Sequence, residues 1–205
     1  MHDKQPIFIT GIGTGVGKTI VSAIITEKLK ADYWKPIQSG DLDDSDTLKV
    51  QSLVSNEITK FHPEAYRLTQ PFSPHKSAAI DKVTINSQNF TLPQTDNQLV
   101  IEGAGGLMVP LNDNFLIIDL IKQLNAKVIL VSQNYLGSIN HTLLSLYALK
   151  TYNIPVMGII FNGVEDIYSK SYILSYSGIP ELGQIPMYDT PNKKSIIEAA
   201  ALINL

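Results

Sequence analysis

The stretch Ile7-Phe8-Ile9-Thr10-Gly11-Ile12-Gly13-Thr14-Gly15-Val16-Gly17-Lys18-Thr19 decides the fold. A β-branched apolar run breaks into a glycine-rich turn, the turn closes on Gly17-Lys18-Thr19, and Ile20-Val21-Ser22-Ala23-Ile24-Ile25 opens a helix. In that order the N–H groups of the loop and of the helix N-terminus converge on an anion, as a phosphate-binding loop requires. In such a loop Lys18 reaches the β- and γ-phosphates of a nucleotide, and the Thr19 hydroxyl sits on Mg2+. The spacing G-x-x-x-x-G-K-[ST] asks for glycine at position 12, where this chain has Ile12; Gly11 comes one residue early and Gly13 one late. The plainer reading is an ordinary strand-to-helix loop. Four glycines, Gly-Lys-Thr and the flanking elements together favour the nucleotide.

Beyond the loop, the first helix is expected to run to about residue 31, burying Ile20, Ile24, Ile25 and Leu29 at helical spacing. Asp32-Tyr33-Trp34-Lys35-Pro36-Ile37-Gln38-Ser39-Gly40 reads as one short aromatic strand after a very tight connection. An acidic cluster, Asp41, Asp43, Asp44 and Asp46, leads into a helix over residues 47–53. Helix capping explains Asp41 and Asp43. Residues 60–74 carry three prolines and read as irregular, residues 73–79 as helical, and residues 86–97 as mostly loop.

Leu99-Val100-Ile101-Glu102-Gly103-Ala104-Gly105-Gly106 is a second strand that ends in glycines. Its apolar run lacks alternation, as in a central parallel strand covered on both faces. Glu102 then lies at the carboxyl end, where open α/β sheets bind ligands. A carboxylate that merely accepts N–H bonds from the turn is the competing reading.

Further strands are expected over 127–132, 155–163 and 181–186, and helices over 119–124, 136–146, 169–177 and 195–205. The helix starting in Leu136-Gly137-Ser138-Ile139-Asn140 has a glycine and hydroxyl start able to hold a carboxylate through its N–H groups. Strands alternating with helices give an α/β fold: a doubly wound, mostly parallel sheet with helices on both faces, of P-loop NTPase type.

At 205 residues one domain over 1–205 is expected. A net charge of −3 gives no reason to expect nucleic acid or a membrane surface as partner. The absence of cysteine excludes disulfides and thiolate metal sites, and fits a reducing compartment. Residues 1–6 leave no room for a leader before the first strand, and the apolar runs are too short to span a bilayer, so a cytoplasmic location is expected. The four histidines (His2, His62, His75, His141) show no ligand spacing, and Trp34 reads as core or wall.

The ordered set Gly11…Gly17-Lys18-Thr19, Lys35-Pro36-Ile37-Gln38-Ser39-Gly40, Ser73-Pro74-His75, Glu102-Gly103-Ala104-Gly105-Gly106 and Leu136-Gly137-Ser138-Ile139-Asn140-His141 resembles the dethiobiotin synthetase family along nearly the whole chain. That family uses the shifted first glycine. The resemblance implies an ATP-dependent ligase of biotin synthesis acting on 7,8-diaminononanoate and CO2 through a carbamate and a carbamic-phosphoric anhydride. It implies Lys18, Lys35 and Ser39 as catalytic residues, and Gly13, Thr14, Gly15, Val16, Gly17, Lys18 and Thr19 as the phosphate loop. It also implies Thr19, Asp46 and Glu102 as Mg2+ ligands, with Asp43 and Asp44 close enough to compete for the place of Asp46. Asn162, with Gly183, Ile185 and Pro186, is implied for adenine. A homodimer is implied whose partner copy supplies Gly137, Ser138 and Asn140 to the substrate carboxylate and, with Ser39, completes the substrate site.

This chain departs from some relatives at Gly15, where they carry an acid, and in the short connection before Asp32. Two other functions compete. A glutamine-hydrolysing ligase of the same broad group needs a nucleophilic cysteine, which is missing. A DNA- or membrane-directed switch ATPase typically carries an additional early lysine in the loop, and none precedes Lys18 there.

Overall fold

The computed structural model describes residues 4–205, so His2 lies outside the described residues. The core is a seven-stranded parallel sheet. Strand β1 (Ile7–Gly11) is central and leads into helix α1 (Lys18–Leu29). The chain then forms β2 (Asp32–Trp34), β3 (Ile37–Ser39), α2 (Asp46–Leu53), β4 (Phe61–His62), β5 (Tyr66–Leu68) and α3 (Pro74–Asp81). It returns through β6 (Leu99–Glu102), the hairpin β7 (Pro110–Asn112) and β8 (Phe115–Leu116), and α4 (Ile117–Gln123). The second half comprises β9 (Lys127–Gln133), α5 (Ser138–Thr151), β10 (Val156–Asn162), α6 (Ile167–Ser177), β11 (Glu181–Ile185) and α7 (Lys193–Ala201).

The spatial order β11-β10-β9-β1-β6-β2-β4 places the turning point of the topology at β1. The chain moves outward on one side of it, comes back to β6, then crosses to β9 on the other side. Such a crossing leaves a crevice at the carboxyl ends of the strands, where ligands bind in this architecture.

Alternation along β1 divides the core. Ile7 and Ile9 pack with Val21, Ile24 and Ile25 of α1 and with Ile196 and Ala199 of α7. Phe8 faces the opposite layer with Trp34, Ile101, Val128 and the α4 residues Ile117, Ile118 and Ile121. Every residue of β1 is buried, which explains its unbroken apolar run.

Several sequence expectations are corrected. Helix α1 starts at Lys18 and ends at Leu29, where Lys30 adopts φ 48° and Ala31 N–H bonds back to Thr26 O, so two residues suffice to reach β2. Its buried arc takes in Val21, Ser22 and Ala23, while Ile20 and Leu29 are only partly buried, because sheet, α2 and α7 enclose it. The expected single strand over 32–40 is two. It breaks at Lys35-Pro36, where proline has no N–H for the ladder, and β3 leaves the main sheet to pair with β5. Residues 60–74 are less irregular than their prolines suggest, since they contain β4 and β5. The cap of α2 is Ser45, whose Oγ accepts from Leu48 N–H at 3.4 Å, and not Asp41 or Asp43. Helix α5 runs on to Thr151.

Candidate active site

Most site residues stand at or just beyond the end of a parallel strand, while Asp46 opens α2. β1 delivers the glycine loop, β6 ends on Glu102, Lys35 follows β2 directly, and β10 ends on Asn162. The parallel register pairs Trp34 with Ile101 and Ile9 with Glu102. With a side-chain period of two, Tyr33, Lys35, Val100 and Glu102 then share the face covered by α1.

The loop is shaped by two glycines. A Cβ on Gly11 would lie 2.5 Å from Val16 Cγ2, so the shifted glycine is required by packing at the loop base. Gly17, at φ 93°, caps α1, and a Cβ there would collide with the Asn162 side-chain amide. Asn162 Nδ2 donates to Val16 O at 3.1 Å and so ties the loop to β10. Gly13, Thr14 and Gly15 are the more open part of the loop, and Gly15 has φ 77° with no atom near a Cβ. An acidic side chain there would have room but a strained backbone.

Lys18 Nζ donates to Gly13 O at 2.8 Å. Burial and the neighbouring Lys35 charge, partly offset by Glu102 and Asp46, lower its pKa to about 8. Lys35 is buried and donates to Asp46 Oδ2 at 2.5 Å, Glu102 Oε1 at 3.0 Å and Gly103 O at 3.2 Å. Burial alone would lower its pKa, but Glu102 and Asp46 raise it, so Lys35 stays charged. Asp46 is pushed up by burial and pulled further down by Lys35 and Thr19, so it is ionised.

Thr19 Oγ1 reaches Asp46 Oδ1 at 3.1 Å and Glu102 Oε1 at 2.9 Å. Three hard oxygens from three segments therefore converge beside the loop. They fit a Mg2+ that shares phosphate oxygens and water, a role that needs only one or two carboxylates. No cluster of three or more His, Cys, Asp or Glu suited to a metal occurs among the described residues. Asp43 and Asp44 do not reach this group: both are exposed, and Asp44 pairs with Lys49 at 3.3 Å.

The cleft encloses about 580 Å3 and is lined by Thr14, Gly15, Gly17, Lys18, Thr19, Lys35, Ser39, Asp46 and Glu102, among others. Ser39 Oγ is buried without a hydrogen-bond partner among the described residues. The hydroxyls of Thr10, Ser22 and Thr26 are likewise unpaired, but of these four residues only Ser39 lines the cleft, where a ligand could supply the missing partner. Gly137, Ser138 and Asn140 do not line this cleft: they stand at the start of α5, Gly137 and Asn140 exposed and Ser138 buried. In the expected adenine segment only Pro186 is exposed. Gly183 packs against Leu202 and Ile203, and Ile185 is in the core, so neither offers a side chain to a base.

Sequence reasoning missed two supports. Gln38 Oε1 accepts from Asp46 N–H at 3.3 Å, and its Nε2 donates to Gly40 O at 3.0 Å. Tyr33 OH, fully buried, donates to Glu102 Oε2 at 2.8 Å. Burial and the Glu102 and Asp46 charges hold the Tyr33 phenol well above its usual pKa, so it remains a donor. The two-residue periodicity from Tyr33 to Lys35 was the available signal.

A family model described as an AAA domain matches residues 5–195. The ATP-dependent dethiobiotin synthetase BioD of Christiangramia forsetii is 54% identical over 185 residues, 89% of each chain. The chain belongs to the dethiobiotin synthetase family. A second member of the family, BioD of Cytophaga hutchinsonii, is 51% identical over 172 residues, 83% of each chain. The family enzymes are ATP-dependent ligases, and so is this chain. Among solved structures, the septum site-determining protein MinD of Pyrococcus horikoshii, complexed with Mg-ADP, matches with a TM-score of 0.60 at 13% identity, over 96% of this chain and 94% of that one. At that identity the likeness shows the P-loop fold alone. No helix among the described residues is long and apolar enough to cross a membrane.

Proposed function

We propose that the cleft binds Mg-ATP, CO2 and 7,8-diaminononanoate and closes the cyclic urea of dethiobiotin, releasing ADP and phosphate. The observation that carries this reading is the meeting of Lys18, Thr19, Lys35, Ser39, Asp46 and Glu102, drawn from separate segments, in one cleft at the strand ends. Family membership supports this choice of reaction.

One substrate amine adds to CO2 and loses a proton, giving a carbamate. A carbamate oxygen attacks the γ-phosphorus as ADP leaves. The second amine then attacks the carbamoyl carbon, the phosphate departs with the oxygen that attacked it, and the amine gives up its proton. Such a sequence asks for alignment and charge neutralisation more than covalent help. Lys18 faces the phosphates from the loop, and Lys35, held beside it by Asp46 and Glu102, faces the carbamate and the transferring group; both stabilise charge that builds in the transition state. Ser39 Oγ orients the carbamate or phosphate. Thr19, Asp46 and Glu102 would hold Mg2+, which would supply charge neutralisation at the nucleotide phosphates.

Asn162 keeps one Nδ2 hydrogen and its Oδ1 for the adenine edge, beside the exposed Pro186. A groove of about 710 Å3 along α5 supports the homodimer. Exposed Met108, Leu144 and Tyr147 line it, and Thr14 and Val109 line both groove and cleft. A second copy seated there would bring its own Gly137, Ser138 and Asn140 toward this cleft.

The test is phosphate release from Mg-ATP and bicarbonate with and without 7,8-diaminononanoate, with the product mass determined. Diamine-dependent release with a cyclic urea supports the reading. Diamine-independent hydrolysis would replace it with a switch ATPase.

A further inference from the structure

We infer that Tyr33 is a positioning residue that turns Glu102 into a one-oxygen donor toward the metal. The inference rests on the reading of Glu102 as a Mg2+ ligand. Glu102 divides its two oxygens cleanly. Oε1 accepts from Thr19 Oγ1 at 2.9 Å and Lys35 Nζ at 3.0 Å, on the cleft side. Oε2 accepts from Tyr33 OH at 2.8 Å, inside the core. Both residues are fully buried, so neither the phenol nor Oε2 can find water instead. A buried hydroxyl with one acceptor in reach fixes that acceptor.

The phenol arrives there by register. Tyr33 pairs with Val100, two residues before Glu102 and on the same face, and its ring is wedged against Phe61 at 5.9 Å between centroids. A long aromatic side chain spans that diagonal to its neighbour strand. With Oε2 held, the carboxylate cannot rotate to present both oxygens. Mg2+ is small and strict in its octahedral geometry, so a single, aimed oxygen suits it.

The experiment compares the wild type with Tyr33→Phe, which deletes only the hydroxyl. The protein is titrated with Mn2+ in the presence of a non-hydrolysable ATP analogue, and free Mn2+ is read by electron paramagnetic resonance. The Mn2+ dissociation constant is expected to rise about tenfold, the usual effect of losing a partner behind a metal ligand. Analogue affinity measured without metal is expected to stay unchanged. Phe61→Leu, which loosens the ring packing and keeps the hydrogen bond, should leave Mn2+ binding as in the wild type. In a Glu102→Gln background, Tyr33→Phe should add no further loss.

Unchanged Mn2+ affinity in Tyr33→Phe, or the same loss in both backgrounds, would overturn the inference. In the unmodified protein the buried Tyr33 hydroxyl proton should exchange slowly in NMR spectra and shift when Mg2+ and the analogue are added. A signal that ignores them would also overturn it. Failure of the wild type itself to bind Mn2+ with the analogue would instead bring down the nucleotide reading on which the inference stands.

Discussion

Lys35 Nζ lies 2.5 Å from Asp46 Oδ2, so the lysine assigned to the transferring group shares a carboxylate with the metal set. The same ammonium touches Glu102 Oε1 at 3.0 Å. Lys35, Asp46 and Glu102 are thus one electrostatic unit, and if the two carboxylates hold Mg2+ as proposed, the lysine charge also sets the charge available to the metal. Lys35→Ala should lower kcat about 100- to 1000-fold, the usual effect of removing a group that stabilises transition-state charge. ATP affinity by calorimetry should be retained, because Lys18 and the loop are untouched. Near-normal turnover in this variant would remove Lys35 from the chemistry.

The acidic cluster offers an internal control. Asp46→Asn should raise the Mg2+ concentration needed for half-maximal turnover by at least about tenfold. Asp43→Asn and Asp44→Asn should leave it unchanged, since both side chains are exposed and away from Thr19. A Mg2+ profile that moves with Asp43 or Asp44 and not with Asp46 would overturn the donor set.

Gly17 tests the loop. At φ 93° any other residue meets the left-handed penalty, about 1–2 kcal/mol, and its Cβ also collides with the Asn162 amide. Gly17→Ala should therefore weaken ATP binding more than tenfold in a fluorescence titration. Wild-type affinity would show that the loop is not the phosphate cradle.

How much of this was legible in the sequence depended on whether neighbours along the chain or across the sheet made the feature. The Gly17-Lys18-Thr19 turn and the run into Glu102 are local, and both stand at strand ends as expected. The aromatic pattern around Pro36 is strand-like and points to a single strand, but the missing N–H of the proline splits that strand and frees β3 to pair with β5. Among the four aspartates, composition could not separate Asp46 from its neighbours. The choice comes from Ser45 capping α2, which turns Asp46 toward Thr19 while Asp44 meets Lys49. The sequence shows Tyr33 only as part of a short aromatic strand, because its partner Glu102 is 69 residues away. Gly183 and Ile185 are implied for adenine by the family resemblance alone; the burial of Gly183 under residues 202 and 203 follows from the docking of the C-terminal segment, and Ile185 lies in the core.

A buried acid far from the cleft gives the pH prediction. Asp32 accepts from Lys60 N–H at 3.0 Å and Asn97 Nδ2 at 2.8 Å, and meets His62 Nε2 at 3.0 Å. Burial raises its pKa, but hydrogen bonds led by Asn97 and Thr95 outweigh burial and hold it below the ordinary 3.8. A depressed folded pKa adds stability that is complete above 3.8 and is lost as pH falls through the folded value. Asp32→Asn should therefore cost about 2 kcal/mol in urea unfolding at pH 7, with the gap to wild type narrowing in strong acid. A gap that widens on acidification would contradict the assignment.

The central claim is that a carbamate oxygen attacks ATP, and following that oxygen tests it most directly. The reaction is run in unlabelled water with CO2 carrying oxygen-18, and phosphate and product are weighed by mass spectrometry. The account predicts one labelled oxygen in the released phosphate and the other in the carbonyl of the cyclic urea. Phosphate without label, its new oxygen drawn from water, would mean that this cleft hydrolyses ATP without joining it to the carbamate.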